Sequence, residues 1–335
     1  MRRALACLPV LLVAAASAPL AAQDRDPRVH RVAVLAPTSA AVSSVAEPAI
    51  RHLGEHGFVA GRNLVVDVRS ADGVFDRMPA LARELVDAKP DVIVAIAPTA
   101  IRAARGATET VPILMAYAGE DPVAAGWARS LARPGGNMTG LLLLGPELDA
   151  KRLQLAHEAL PAVRRFGVLT IPQHAVVTQE ANLRGLRAVA AALRIELVLA
   201  EVEGANDRPG AEAYARAIGR ARAQGAQALL VPASTVFARD VAVIARLGTE
   251  AGLPTFCEWR EMAAAGCMLA YGASREHLRR RTAHYLARLL EGTPAAELPI
   301  EAPTTFDLAV NLAVAGRLGV DLPPTLIARA DEVIE

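Results

Sequence analysis

Short continuous apolar runs recur along the chain, and few of them alternate with polar residues. They cover residues 32–36, 64–68, 92–97, 113–117, 141–144, 166–171, 195–200, 228–231, 255–257 and 268–271. A strand buried on both faces has this pattern. Stretches of helical period fill the gaps. Met78, Leu81, Ala82, Leu85 and Val86 form one apolar stripe, Leu183, Leu186, Ala190 and Leu193 a second, and Leu278, Thr282, Tyr285 and Leu289 a third. Gly292 stands where that last helix would stop. Strand and helix repeated in this way predict an α/β fold with doubly wound parallel sheets.

The ten runs fall into two groups of five around Gly145-Pro146. The pattern therefore predicts two similar lobes, 30–145 and 146–300, with a crossing near 143–150. After Gly292 the chain turns proline-rich at Pro294, Pro299 and Pro303. A further strand-like run at 304–310 and two short helices follow. Segment 301–335 is expected to cross back near 292–305, pack across both lobes and make them a hinged pair.

The first residues read differently. Met1-Arg2-Arg3 is a short basic start, residues 4–22 carry no charge, and Ala21-Ala22 precede the polar run Gln23-Asp24-Arg25-Asp26. That is the layout of a secretory signal cleaved near Ala22. The uncharged stretch could just span a bilayer as an uncleaved anchor. Pro9, Pro19 and the small residues at its end favour cleavage. A periplasmic location is expected.

Composition adds mainly exclusions. With 53% hydrophobic residues the chain can bury large cores, and its net charge of +1 advertises no nucleic acid partner. The basic cluster Arg279-Arg280-Arg281 lies in a helical stretch and reads as a solvated face. After cleavage two cysteines remain, Cys257 and Cys267. Oxidising surroundings would permit a bridge. Their positions, closing one strand and opening the next across a helix, put them at opposite ends of a parallel sheet. This placement argues against a bridge and leaves the pairing open.

No catalytic set emerges. The chain has no Gly-x-Gly-x-x-Gly turn and no Gly-Lys-Ser/Thr phosphate loop. Gly272-Ala273-Ser274-Arg275-Glu276 lacks the second glycine of a nucleophile elbow, and Ser274 reads as a helix cap. His52-Leu53-Gly54-Glu55-His56 matches a zinc-protease spacing. Catalytic zinc needs a third ligand and a cleft. This pair sits at the end of the first helix, at the bottom of the sheet, and reads as two surface histidines. No enzyme, cofactor or metal is expected.

These features occur together with further motifs. They are His52-Leu53-Gly54-Glu55-His56-Gly57-Phe58-Val59-Ala60-Gly61-Arg62-Asn63, Phe75-Asp76-Arg77-Met78-Pro79-Ala80-Leu81-Ala82, Asp121-Pro122-Val123 and Ser130-Leu131-Ala132-Arg133-Pro134-Gly135-Gly136-Asn137-Met138-Thr139-Gly140. Then come Glu258-Trp259-Arg260-Glu261, Tyr271-Gly272, and Leu322-Pro323-Pro324 with Ala328-Arg329-Ala330-Asp331-Glu332. In this order, over residues 30–335, the chain resembles the ABC-transporter substrate-binding proteins of the tryptophan/tyrosine-binding type, with the type 1 periplasmic-binding-protein fold. The resemblance implies a monomeric two-lobed binder. It would deliver an amino acid or related carboxylate to a membrane permease and its ATPase. A sensor subunit for a membrane signalling protein, or a small-molecule transferase or hydrolase, would suit the same hinged pair.

In such a fold the cleft is lined by loops after the strands. From the first lobe these give Thr38, Ser39, Pro98, Thr99, Gly119, Glu120, Asp121 and Asn137. From the second they give His174, Ser234, Glu258, Trp259 and Tyr271. Ser39 and Thr99 precede helices, and their hydroxyls and neighbouring N–H groups can hold a carboxylate or simply cap the helix. Asp121 could hold an ammonium or start an Asp-Pro turn. Trp259 and Tyr271 could stack on a flat ligand or pack in the core. Glu120 looks like an insertion relative to the family pattern. It adds a carboxylate at a cleft-facing strand end.

Overall fold

The computed structural model describes residues 28–171, 176–203 and 209–335, with no side chains described over 176–182. The expected export signal at 1–22 and the candidate His174 lie outside the described residues. All ten apolar runs coincide with strands. Strands β1 (His30–Ala36), β2 (Leu64–Ser70), β3 (Val92–Ile96), β4 (Ile113–Ala118) and β5 (Met138–Leu142) belong to a first sheet. Strands β6 (Arg165–Thr170), β7 (Glu196–Glu201), β8 (Ala228–Leu230), β9 (Thr255–Cys257) and β10 (Leu269–Ala273) belong to a second. Of the last three strands, β11 (Ile300–Glu301) joins the first sheet, and β12 (Phe306–Asn311) and β13 (Glu332–Ile334) the second.

The strand orders are β11-β5-β4-β3-β1-β2 and β13-β12-β10-β9-β8-β6-β7. Every pairing is parallel except β10 with β12. Parallel neighbours need crossovers, and the helices supply them. In chain order they are α1 (Ser39–Ala41), α2 (Glu47–Leu53), α3 (Met78–Asp87), α4 (Ala97–Ala107), α5 (Gly145–Ala159) and α6 (Val176–Leu193). Next come α7 (Ala211–Ala223), α8 (Thr235–Glu250), α9 (Arg260–Ala264), α10 (Arg275–Leu290), α11 (Leu312–Arg317) and α12 (Pro324–Ile327). A π-helical turn at Val42–Ala46 links α1 to α2. Helices over both faces explain why the strands carry no polar alternation: β3, β4 and β5 are buried at every position.

The chain passes between the sheets three times. It leaves the first after β5 and enters α5, which packs on α6, β9 and β10. It returns directly after β10, because α10 packs on α2, β3, β4 and β5. Two side chains pin α10 there. Tyr285 donates to the Pro299 carbonyl at 2.6 Å, and Arg281 forms a two-pronged pair with Glu301 of β11. The third passage runs from β11 to β12. The sequence pattern allots 146–300 to the second lobe, whereas residues 275–301 lie on the first sheet. Helical period shows that α10 has an apolar face, and it carries no information on which sheet that face covers.

The cysteines also differ from expectation. Cys257 and Cys267 form a disulfide, with Cα atoms 6.2 Å apart. The expectation assumed a crossover of full length. Here β9 is three residues long and α9 only five, so the ends of the sheet are close at this point.

Candidate functional site

Ligands of doubly wound sheets bind beyond the carboxyl ends of the strands. A cavity of about 220 Å³ lies there, between the lobes. The first lobe contributes Ala40, Ala41 and Ser44, the end of β3 with Ala97 and Pro98, and Tyr117, Gly119 and Leu143. The second contributes Ala233, Ser234 and Thr235 after β8, Glu258 and Trp259 after β9, and Arg239. Arg275 enters from the crossing after β10.

The backbone is shaped at this place. Ala97, Tyr117 and Leu144 adopt left-handed φ angles of 66°, 62° and 55°. Such conformations cost energy for non-glycine residues and concentrate at functional sites. At Tyr117 the register of β4 on β5 also shifts, between Met115 and Ala118. That irregularity turns the Tyr117 side chain out of the strand pattern and into the cavity.

The aromatic wall spans the lobes. The Tyr117 and Trp259 rings lie 5.7 Å apart, and the Arg275 guanidinium sits 4.6 Å over the Trp259 ring. Glu258 is 3% exposed, and its Oε1 has no hydrogen-bond partner. Burial pushes its carboxyl up to about 6, against the pull of Arg152 and Arg275. The Tyr117 hydroxyl and Arg275 Nε are also buried without a partner, and burial pushes the phenol up to about 12. Three polar atoms of residues around one cavity, a carboxylate oxygen, a guanidinium nitrogen and a phenol oxygen, are thus buried without a hydrogen-bond partner.

A buried charge layer lies beneath Glu258. Arg152 and Asp149 of α5 are fully buried and paired with each other. Arg152 donates to the Tyr271 carbonyl at 2.9 Å, and the Ala233 N–H donates to Asp149 at 3.2 Å. Burial lowers the Arg152 guanidinium to about 10. This layer ties the loop after β8 to strand β10 through α5.

Of the sequence candidates, Pro98, Gly119, Ser234, Glu258 and Trp259 line the cavity. Thr99 lines a neighbouring cavity of about 190 Å³, which Pro98 and Ser234 share. Thr38 and Ser39 lie at a third opening with Asp72 and Arg239. Thr38 caps α1 by accepting from Ala41 N–H at 3.1 Å, and Ser39 donates to Asp72 at 2.5 Å.

The others are engaged elsewhere. Glu120 pairs with Arg102 at 2.5 Å. Asp121 is exposed and accepts from the N–H groups of Val123 and Ala124, which is the Asp-Pro turn. Asn137 precedes β5, at the amino end of the sheet, and donates to the Thr108 and Val111 carbonyls. Tyr271 stacks on Phe306 with ring centroids 6.1 Å apart. The sequence reading missed Tyr117 and Arg275. Tyr117 is hidden in an apolar run, and Arg275 follows Ser274 as one arginine among many.

Residues 31–334 match the family described as ABC transporter substrate binding protein. The chain belongs to that family. It is a family of solute-binding proteins and not of enzymes. A tyrosine-binding protein of Clostridioides difficile is 24% identical over 262 residues, which cover 78% of this chain and 72% of that protein. Among solved structures, a conserved domain protein of Vibrio cholerae is 27% identical with a TM-score of 0.81, covering 91% of this chain and 100% of that one. A Streptococcus pneumoniae ABC domain in complex with L-Trp is 20% identical with a TM-score of 0.80, at the same coverage of 91% and 100%. These likenesses accord with the two-lobed type 1 fold. No helix among the described residues is long and apolar enough to cross a membrane, and no group of three or more His, Cys, Asp or Glu among them could hold a metal ion.

Proposed function

We propose that this family member captures an amino acid with an aromatic side chain between its lobes and delivers it to an importer. The observation that carries the reading is the set of unpaired groups around the cavity. Glu258 supplies an acceptor for the ligand ammonium, and Arg275 a donor for its carboxylate. The Tyr117–Trp259 wall offers a flat surface for the ring. The printed ligands of two relatives, tyrosine and L-Trp, support the same class.

Delivery requires a membrane permease and its ATPase as partners, and the protein outside the cytoplasm. The basic start, the uncharged stretch at 4–22 and its small-residue end support export with cleavage near Ala22. The two lobes, the first built from 30–145 together with 275–301, act as a hinged pair.

Thermal shift of the chain lacking residues 1–22 tests this, against L-tryptophan, L-tyrosine, L-phenylalanine, aliphatic amino acids and small carboxylates. A ligand at about 100 times its Kd stabilises by about 2.7 kcal/mol. A shift confined to the aromatic amino acids is expected. A shift with simple carboxylates but not with amino acids would overturn the ligand class.

A further inference from the structure

Cys257 and Cys267 bracket the stretch of chain that carries two walls of the cavity. Between them run Glu258, Trp259 and the short helix α9. Both cysteines are fully buried. The loop so closed is held by local bonds: Met262 N–H donates to the Trp259 carbonyl at 2.7 Å, and Cys267 N–H to the Met262 carbonyl at 3.0 Å. Glu261 lies 4.0 Å from Arg275, the cation over the Trp259 ring. Glu258 and Trp259 are therefore in this loop, and Arg275 is in contact with it.

The loop is held in an unfavourable state. Glu258 has a buried carboxylate oxygen without a partner, which is costly away from water. A loop free to swing would carry Glu258 toward solvent and take Trp259 with it. A covalent link between the loop's two ends removes most of those alternative conformations. Groups fixed in a binding geometry before the ligand arrives lose less on binding.

We propose that the Cys257–Cys267 disulfide is a positioning device, which holds Glu258 and Trp259 in their ligand-binding geometry in the empty protein. It rests on the reading of this cavity as the ligand site. The sulfurs touch no ligand. They act through the loop between them, so breaking the bond loosens recognition while leaving the two sheets intact.

The test uses the chain lacking residues 1–22 with Trp127→Phe, which leaves Trp259 as the only tryptophan. Into it go Cys257→Ala and Cys267→Ala together. A second pair, Cys257→Val with Cys267→Ala, restores volume if the first does not fold. Acrylamide quenching of Trp259 is measured without ligand, beside thermal unfolding, and calorimetry is run with L-tyrosine as probe. With the bond intact Trp259 should be shielded. Without it, quenching should rise several-fold while unfolding stays cooperative, and L-tyrosine affinity should fall about tenfold or more.

Trp259 still shielded in a folded, bond-free variant would overturn the proposal. So would loss of cooperative unfolding in both pairs, since the bond would then serve the whole fold. Should L-tyrosine fail to bind the parent as well, the ligand reading falls, and the quenching result still decides whether the bond positions the loop.

Discussion

The Tyr117 ring of the first lobe lies 5.7 Å from the Trp259 ring of the second, at an interplanar angle of 35°. The two come from different sheets, so their contact exists only while the lobes are together. Tyr117 also carries a buried hydroxyl with no partner. Tyr117→Phe keeps the ring and removes that hydroxyl. The ligand-free protein should be as stable as the parent or slightly more so, because an unsatisfied group is gone. Affinity for L-tyrosine should fall by about 1 kcal/mol if the hydroxyl meets the ligand. Chemical denaturation and calorimetry on the same preparation separate the two effects. An unchanged affinity would make Tyr117 a packing residue only.

Glu258 gives the protein a pH dependence of defined sign. Its carboxyl lies at about 6 in the fold, against an ordinary value of 4.5. The folded, ligand-free protein thus binds this proton more tightly than the unfolded chain does. The resulting stability is fully present below about pH 4.5 and is lost as pH rises through about 6. It amounts to about 2 kcal/mol. Glu258→Gln should abolish this part of the profile.

Ligand binding carries the opposite sign. An ammonium needs the carboxylate, so affinity should rise toward pH 6 and level off above it, by about tenfold between pH 5 and pH 7. Calorimetry at the two values, with Glu258→Gln beside the parent, checks this. Equal affinity at both would remove Glu258 from charge recognition. The charges facing it are Arg152 and Arg275.

A glycine protects this carboxylate's backbone. A Cβ on Gly272 would stand 2.3 Å from the Glu258 carbonyl oxygen, so β10 and the loop after β9 would have to part. Gly272→Ala should destabilise by about 1–3 kcal/mol and weaken L-tyrosine binding as well. Gly106→Ala in α4 is the control, since its added Cβ meets nothing within 4 Å. Equal behaviour of the two variants in thermal unfolding would refute the close approach.

Asp121 and the histidine pair are predicted to be inert toward ligands. The Asp121 carboxylate caps the N–H groups of Val123 and Ala124. Asp121→Ala should cost about 1 kcal/mol of stability and leave affinity unchanged. His52 is held between Glu55 at 2.9 Å and Glu276 at 3.1 Å, and the His56 ring faces His284. Zinc retained stoichiometrically after dialysis, and lost with His52→Ala and His56→Ala together, would show a metal site there.

The strands and the three apolar helix stripes were legible because burial on both faces leaves an uninterrupted apolar run, and one-sided burial leaves a helical period. What stayed hidden depends on facts that periodicity does not encode. The stripe of α10 says that the helix is buried, not that it covers the first sheet. Strand β13 pairs with β12 through backbone groups, and Glu332-Val333-Ile334 is too short to show a period. The disulfide depended on the length of α9. Trp259, Glu258, Ser234, Pro98 and Gly119 could be placed near the cleft because each follows a strand. Tyr117 could not, since only a left-handed turn inside an apolar run points it outward.

Under the proposed function the two lobes close on one small ligand. A ligand that touches both lobes binds the closed form better and shifts the population toward it. If the three passages between the sheets act as hinges, the lobes rotate with little change inside either. Small-angle scattering of the chain lacking residues 1–22, titrated to saturation with L-tyrosine and with L-tryptophan, tests this most directly. The account predicts that at least one of them lowers the radius of gyration while circular dichroism shows constant helix content. A radius unchanged by both, at concentrations where calorimetry shows the site filled, would contradict it.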